Sequence, residues 1–206
     1  MEIRELSVPH AWEVSPLVRR DDRGFFLESY RADLLAEATG RTFELKQANV
    51  SRSKYGVARG IHYADVPSGQ AKYFMVTAGA VVDFVVDIRL GSPTFGQWDA
   101  VELDADNRKA VFLSEGVGHL FVVTSESADV NYLINEYYNP AREHAISARD
   151  PAIGLRLPIP AADIVLSEQD AAAPGLEDAA AAGILPNWAD CLELYATRSA
   201  GEGASR

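Results

Sequence analysis

The chain predicts an all-β protein, an antiparallel sandwich or barrel with a few short helices, mainly near the C-terminus. Three observations carry this. About nine or ten short segments with strand-forming apolar residues recur before Pro140. Turn signals built from Gly, Pro and Asp separate them every 8–12 residues or so, the spacing of sandwich and barrel strands. Helical signals are limited to residues 31–39 and two stretches after residue 175. No internal repeat is visible.

Taken in order, residues 2–18 alternate loosely around Pro9 and Pro16 and read as a short edge strand or arm. Asp21-Asp22-Arg23-Gly24 is a turn, and Phe25–Tyr30 reads as a strand with Glu28 on the face of Phe26 and Tyr30. Residues 31–39 suit a helix stopped by Gly40. Phe43–Ser51 and Val57–Tyr63 are strands. Tyr73–Thr77 and Val81–Ile88 read as a hairpin across Ala78-Gly79-Ala80. Within the second of these, Val82, Phe84 and Val86 share one face and Asp83, Val85 and Asp87 the other. Trp98–Leu103, Ala110–Ser114, Gly118–Thr124 and Asp129–Asn135 complete the strands. Residues 141–174 look irregular. Leu176–Ala182 is a helix ended by Gly183, and Asn187 caps a helix over Trp188–Thr197.

The length of 206 residues fits one domain. Residues 1–18 form its N-terminal arm, 175–198 its C-terminal helices, and 199–206 a disordered tail. A hydrophobic content of 48% suffices for a full core. The formal net charge of −11 argues against nucleic acid or an anionic membrane as partner. A single cysteine, Cys191, and the absence of a signal peptide fit a reducing cytoplasm. The longest apolar run, Val81–Leu90, is interrupted by Asp83, Asp87 and Arg89 and cannot span a bilayer.

Polar chemistry concentrates in Gln47–Tyr73. This stretch carries His62, four cations and three side-chain amides on two adjacent strands and their turns. His62 is the candidate base. Arg59 lies three residues earlier, so strict alternation puts the two on opposite faces. A bulge at Gly60 would turn both toward one cavity. Lys72 shares a face with Phe74 and Val76, Gln47 with Asn49, and Tyr132 with Val130 and Ile134. Each also suits an ordinary half-exposed strand position, and His62 and His119 also suit hydrogen-bonded core sites. Paired histidines two residues apart, a frequent metal cue, are missing: the position after the next from His62 is Ala64. No metal and no other cofactor is expected. There is no phosphate-binding Gly-rich loop and no serine nucleophile elbow.

The stretches DDRGFFLESY, QANVSRSKYGVARGIHY, GQAKY, DIRLGSPTFGQW, VGHLF, NEYYNPAREH, DPAIGLRLP and LSEQD together resemble the dTDP-4-dehydrorhamnose 3,5-epimerase family, over about residues 21–170. GIHYADVPSGQAKY and the VGH segment look nearest to members that make deoxysugars for antibiotics. The resemblance implies a cupin-type jelly roll acting on a dTDP-linked 4-keto-6-deoxy sugar, at C3, C5 or both. It implies His62 as base, Asp170 as the carboxylate that orients it, Tyr132 as the opposing acid, and Lys72 as the enolate's partner. Arg23, Glu28, Gln47, Asn49, Arg59, His119 and Glu143 match positions that bind the nucleotide sugar, and Tyr138 an aromatic position beside the base. The family usually has lysine before the aspartate, where this chain has Gln169. A homodimer with exchanged N-terminal strands is also implied.

The chemistry fits these residue types. A 4-keto group acidifies the protons on C3 and C5, and an imidazole is suited to removing one. The enolate oxygen needs a cationic or donating partner in a dry pocket. Inversion returns the proton from the opposite face, which requires a second group. Paired guanidinium donors suit a diphosphate. Two other readings are a sugar 3,4-ketoisomerase on a similar barrel and a barrel that binds a nucleotide sugar without turning it over.

Overall fold

The computed structural model describes residues 1–199. The tail expected to be disordered therefore lies outside the described residues, apart from Ser199, which bridges to Arg41. Thirteen strands are present among the described residues: β1 (Glu2–Glu5), β2 (Ala11–Ser15), β3 (Arg19–Asp21), β4 (Gly24–Phe26), β5 (Gln47–Lys54), β6 (Ala58–Ala64), β7 (Lys72–Ala78), β8 (Ala80–Val86), β9 (Trp98–Asp104), β10 (Ala110–Leu113), β11 (Gly118–Val123), β12 (Ser127–Ile134) and β13 (Glu143–Ala145). Four helices join them: α1 (Ala32–Thr39), α2 (Glu168–Ala171), α3 (Leu176–Ala181) and α4 (Trp188–Thr197).

Two antiparallel sheets face each other as a sandwich, and neither closes into a barrel. One has the order β1-β2-β10-β7-β12-β5 and the other β13-β6-β11-β8-β9. The inner core lies between them, with Phe74, Val76, Val111, Leu113 and Val130 from the first sheet against Val81, Val85, Val101, Leu103 and Phe121 from the second. Period-two alternation then sends the intervening residues outward, and the central strands of both outer faces are covered, while the outward side of β5 stays exposed. Phe84, Val86, Ile61, Tyr63 and Leu120 pack under the C-terminal segment through Ile146, Ile153, Leu176 and Leu185. Trp12, Tyr73 and Phe112 pack under Leu35 of α1 and Phe43. The Val82/Asp83 alternation read from the sequence holds, and both of its faces are interior. β3 and β4 form a separate two-stranded hairpin, exposed throughout.

Several expectations need correction. β7 and β8 do not form a hairpin: β7 pairs with β10 and β12, and β8 with β11 and β9. The chain turns a corner at Gly79, whose φ is +76° and whose added Cβ would stand 2.0 Å from the Ser127 carbonyl oxygen. It thus passes from one sheet to the facing one. The strand at Phe25–Tyr30 stops at Phe26, because Tyr30 turns inward against Phe43 and Tyr73 and the Tyr73 hydroxyl donates to the Ser29 carbonyl at 2.7 Å. Glu28 therefore has no strand face. Residues 43–46 precede β5 instead of belonging to it, since Phe43 is drawn into the outer cluster. The segment 141–174 contains β13 and α2, so it is less irregular than its composition suggests.

The helix signals are met. Gly40 closes α1 in the left-handed conformation, and the Asn187 side chain caps α4 by accepting from the Ala189 N–H at 2.8 Å. A buried ion cluster ties α4 to the body. Arg41 reaches Glu115 at 2.5 Å, Arg198 also pairs with Glu115, and the Tyr195 hydroxyl donates to the Glu115 carbonyl. Among the described residues no helix is long and apolar enough to cross a membrane.

Candidate active site

One pocket of about 250 Å³ opens between the two sheets, lined by Ser51, Arg59, His62, Lys72, Phe74, His119, Phe121, Tyr132 and Tyr138. The five-stranded sheet supplies His62 and Arg59 from β6 and His119 and Phe121 from β11. The six-stranded sheet supplies Ser51, Lys72, Phe74 and Tyr132 from β5, β7 and β12.

The β6 backbone explains how Arg59 and His62 share this space. Opposite β11, Arg59 faces Phe121 and His62 faces His119, so two residues of β6 oppose Leu120 alone. Gly60 and Ile61 form that bulge. Gly60 has φ +123°, and an added Cβ would stand 2.2 Å from the His119 carbonyl oxygen. Ile61 turns outward into the core beneath the C-terminal segment, leaving both polar neighbours on the inside.

Asp170 reaches His62 from the far end of the chain. Val165 bridges in parallel to Val57, and the Ala58 N–H donates to the Val165 carbonyl at 2.9 Å. This lays residues 165–170 along β6. Ser167 then caps α2 by accepting from the Asp170 N–H at 3.0 Å. The Asp170 carboxylate, itself buried, accepts from His62 Nε2 at 2.6 Å. Burial works against its charge, but the bond from His62, with Ser167 and the Gly60 N–H, holds it below the usual carboxylate range. An ionised Asp170 can only accept a hydrogen bond, so Nε2 keeps its proton as the donor and the lone pair of a neutral His62 is on Nδ1.

Across the pocket, the Tyr132 hydroxyl makes no hydrogen bond to any described residue. Burial raises its pKa; Arg59 opposes this, and Glu143 and Tyr138 add to it. Lys72 is shifted down by desolvation, with Glu143 and Asp83 holding it up. Arg59 Nε donates to Ser53 Oγ at 3.1 Å. His119, buried, donates from Nε2 to Asp83 at 2.6 Å.

The other expected residues fall at the rim or away from it. Gln47 Nε2 donates to Asn49 Oδ1 at 2.8 Å, and Gln47 Oε1 accepts from the Tyr138 N–H at 3.2 Å. Glu143 lies on β13 beside Tyr138 in an adjoining cavity and accepts from Gln70 at 3.3 Å. Arg23 and Glu28 are not brought to this pocket. Arg23 sits at the exposed β3–β4 turn, paired with Asp21, and Glu28 is exposed and paired with Arg31. Gln169 is exposed on α2 and makes no side-chain hydrogen bond among the described residues. Asp83 was missed as a site residue by sequence reading. Its signal is a carboxylate on the same strand face as Val81 and Val85, in an otherwise apolar strand. Among the described residues, no three His, Cys, Asp or Glu side chains gather as metal ligands. The arrangement brings an imidazole paired to a carboxylate, a phenol hydroxyl, a lysine and an arginine into one pocket.

Comparison with known proteins places the chain in a family. The family model described as dTDP-4-dehydrorhamnose 3,5-epimerase matches residues 5–178. The chain is 48% identical over 198 residues to a dTDP-4-dehydrorhamnose 3,5-epimerase of Mycolicibacterium smegmatis, covering 96% of each. It is 47% identical over 191 residues to a dTDP-4-dehydrorhamnose 3-epimerase of Streptomyces niveus, covering 93% of this chain and 91% of that one. The solved structure of NovW, a 4-keto-6-deoxy sugar epimerase from the novobiocin cluster of Streptomyces spheroides, superposes with a TM-score of 0.90 at 46% identity, covering 93% and 95% of the two chains. The chain belongs to the dTDP-4-dehydrorhamnose 3,5-epimerase family and is an isomerase.

Proposed function

We propose that this protein inverts C3, C5 or both of a dTDP-linked 4-keto-6-deoxyhexose through an enolate, with His62 as base and Tyr132 as acid, in deoxysugar biosynthesis for a secondary metabolite. The observation that carries the reading is placement on opposed walls. His62, backed by Asp170 of α2, comes from one sheet, the unpartnered Tyr132 hydroxyl from the other, and a ring held between them would meet one group on each face. His62 Nδ1 removes the proton on carbon next to the ketone. Asp170 holds the tautomer and stabilises the imidazolium. Lys72 donates to the enolate oxygen as charge develops there. Tyr132 returns a proton from the opposite side. The phenyl rings of Phe74 and Phe121 keep the pocket dry enough for these charges to be felt. Arg59, Gln47, Asn49, His119, Tyr138 and Glu143 are read as substrate contacts.

The chain, residues 1–206, is one domain in this reading, because His62 is incomplete without Asp170. We read the assembly as a homodimer. The β3–β4 hairpin projects with Phe25 at 47% and Phe26 at 65% exposure, an apolar surface suited to a second copy. Arg23 and Glu28 flank it, so on that reading they serve the pocket of the partner. Light scattering on the eluting protein tests the assembly.

The function is tested by NMR in deuterated buffer with several dTDP-4-keto sugars, reading label at C3 and C5 separately. Deuterium at either carbon, with inversion, is expected. A carbonyl moved between C3 and C4 would instead make the protein a ketoisomerase. Tight binding without any exchange would make it a binding module.

A further inference from the structure

His119, which lines the pocket, belongs to a second histidine–carboxylate pair, and the chemistry above gives its partner Asp83 no role. Asp83 is wholly buried on the inner face of β8. Its Oδ2 accepts from His119 Nε2 at 2.6 Å, while Oδ1 is buried with no hydrogen-bond partner among the described residues. A carboxylate so enclosed is costly unless cations answer it. Lys72 enters the same pocket from the facing sheet, and among the described residues it has neither an ion pair nor a hydrogen bond. We propose that Asp83 is a positioning residue for the reaction: it fixes the ring of His119 and supplies the buried negative charge against which Lys72 stays an ammonium. The inference rests on reading Lys72 as the enolate's partner.

The surroundings of Lys72 leave little choice of counter-charge. Its pocket is shared by Arg59 and His62 from β6, His119 from β11, Tyr132 from β12 and Tyr138 from the following loop, and the groups whose charge acts on it are Glu143 of β13 and Asp83 of β8. Only the last two are acidic. Glu143 stands at the rim, within reach of Gln70 and of solvent. Asp83 is closed off from solvent and from any substrate, so its charge is fixed by the fold. Burial leaves Asp83 above its ordinary value although His119 and Lys72 pull it back, and leaves Lys72 below its own although Glu143 and then Asp83 hold it up. Asp83 and Lys72 hold one proton as ammonium facing carboxylate or as amine facing acid. The bond that Asp83 accepts from His119 favours the carboxylate, and with it the ammonium that an enolate needs.

The test follows the Lys72 side chain directly. The chain has four lysines, Lys46, Lys54, Lys72 and Lys109. Lysine labelled with carbon-13 at Cε therefore gives a simple spectrum, and Lys72→Met identifies the signal. Asp83→Asn keeps the shape and an acceptor for His119 but removes the charge. The Lys72 titration midpoint should fall by about one pH unit or more, a tenfold loss of ammonium above the midpoint. The alkaline limb of kcat should move with it. An unchanged Lys72 midpoint in a folded Asp83→Asn protein overturns the proposal. Asp83→Ser is the second variant. The wild type gives an independent arm: the Asp83 Cγ resonance must step at the Lys72 midpoint, and a flat response there also overturns it. These titrations need no turnover, so a wild type that fails to exchange deuterium counts against the epimerase reading and not against the coupling.

Discussion

Replacing Tyr132 with phenylalanine separates the two proton transfers. The ring keeps its stacking on Phe74, with centroids 6.3 Å apart, and loses only a hydroxyl that bonds to no described residue. No protein group is left unpaired, so stability should change by less than about 1 kcal/mol. The base on the other wall is untouched: His62 still pairs with Asp170 at 2.6 Å. The variant should form the enolate and return the proton to the face it left. In deuterated buffer, label should wash into the sugar while configuration barely changes. General acid catalysis contributes on the order of 10²–10⁴-fold, about 2.7–5.5 kcal/mol at 1.36 per tenfold, and inversion should fall in that range. Exchange should fall far less, provided the imidazolium trades its proton with solvent. His62→Asn, by contrast, should abolish exchange and inversion together. The assay is proton NMR of the sugar in deuterium oxide, with integrals at C3 and C5 and the coupling constants that report configuration. Inversion by Tyr132→Phe at close to the wild-type rate would refute the assignment and direct attention to Tyr138.

Four further outcomes are expected. Gly60→Ala places a Cβ 2.2 Å from the His119 carbonyl at φ +123°, so the bulge must shift; a displacement of about 1 Å at His62 costs ~10²-fold in kcat, measured beside thermal unfolding. Arg59→Ala should weaken dTDP-sugar binding by about 1.5–3 kcal/mol in calorimetry, whereas Arg52→Ala, on the exposed side of β5 and paired with Asp129, should leave it unchanged; equal losses would remove Arg59 from the site. Glu115 titrates below its ordinary value of 4.5: burial opposes its charge, and Arg41 and Arg198 outweigh that. Its contribution to stability is then complete above about 4.5 and lost as pH falls through the depressed folded value, so the urea midpoint should drop below pH 4.5 in the parent and respond less to acid in Glu115→Gln. Thorough chelation should leave turnover intact, and loss restored by one divalent ion would contradict this.

Most of the strand order was legible because alternation and turn residues are local signals. β6, β9, β11 and α4 lie where the pattern puts them. Sheet membership was not legible. Ala78-Gly79-Ala80 reads as a tight turn between adjacent strands, but the identity of a strand's partner is decided by which faces must be buried, and both faces of β8 are. Likewise Phe25–Tyr30 continues as a strand by propensity and is cut short by Tyr30 finding Phe43 and Tyr73, contacts no window of sequence contains. At the site, the type of chemistry followed from residue types and the resemblance. The bulge followed from one glycine between two polar residues of the wrong parity. The role of Asp83 did not follow, because a lone carboxylate in an apolar strand looks the same whether it answers a histidine or breaks a core. Arg23 and Glu28 share the family motif, but the fold puts Arg23 at the exposed β3–β4 turn and Glu28 in the segment after β4, away from the pocket; on the homodimer proposed above, they would serve the partner's site.

The reach of Asp170 back to His62 has a consequence in time. The two residues are 108 positions apart, and the carboxylate arrives with the segment that lies along β6 and covers the outer face of its sheet. Contacts of such long sequence separation form late, and a chain emerging from the ribosome exposes His62, the base on the reading proposed above, well before the carboxylate that pairs with it. Catalytic competence is therefore acquired near the end of folding. A pocket that can already bind a nucleotide sugar would remain silent until the C-terminal cover has docked. Activity in this protein is accordingly a stricter reporter of complete folding than secondary structure or ligand affinity.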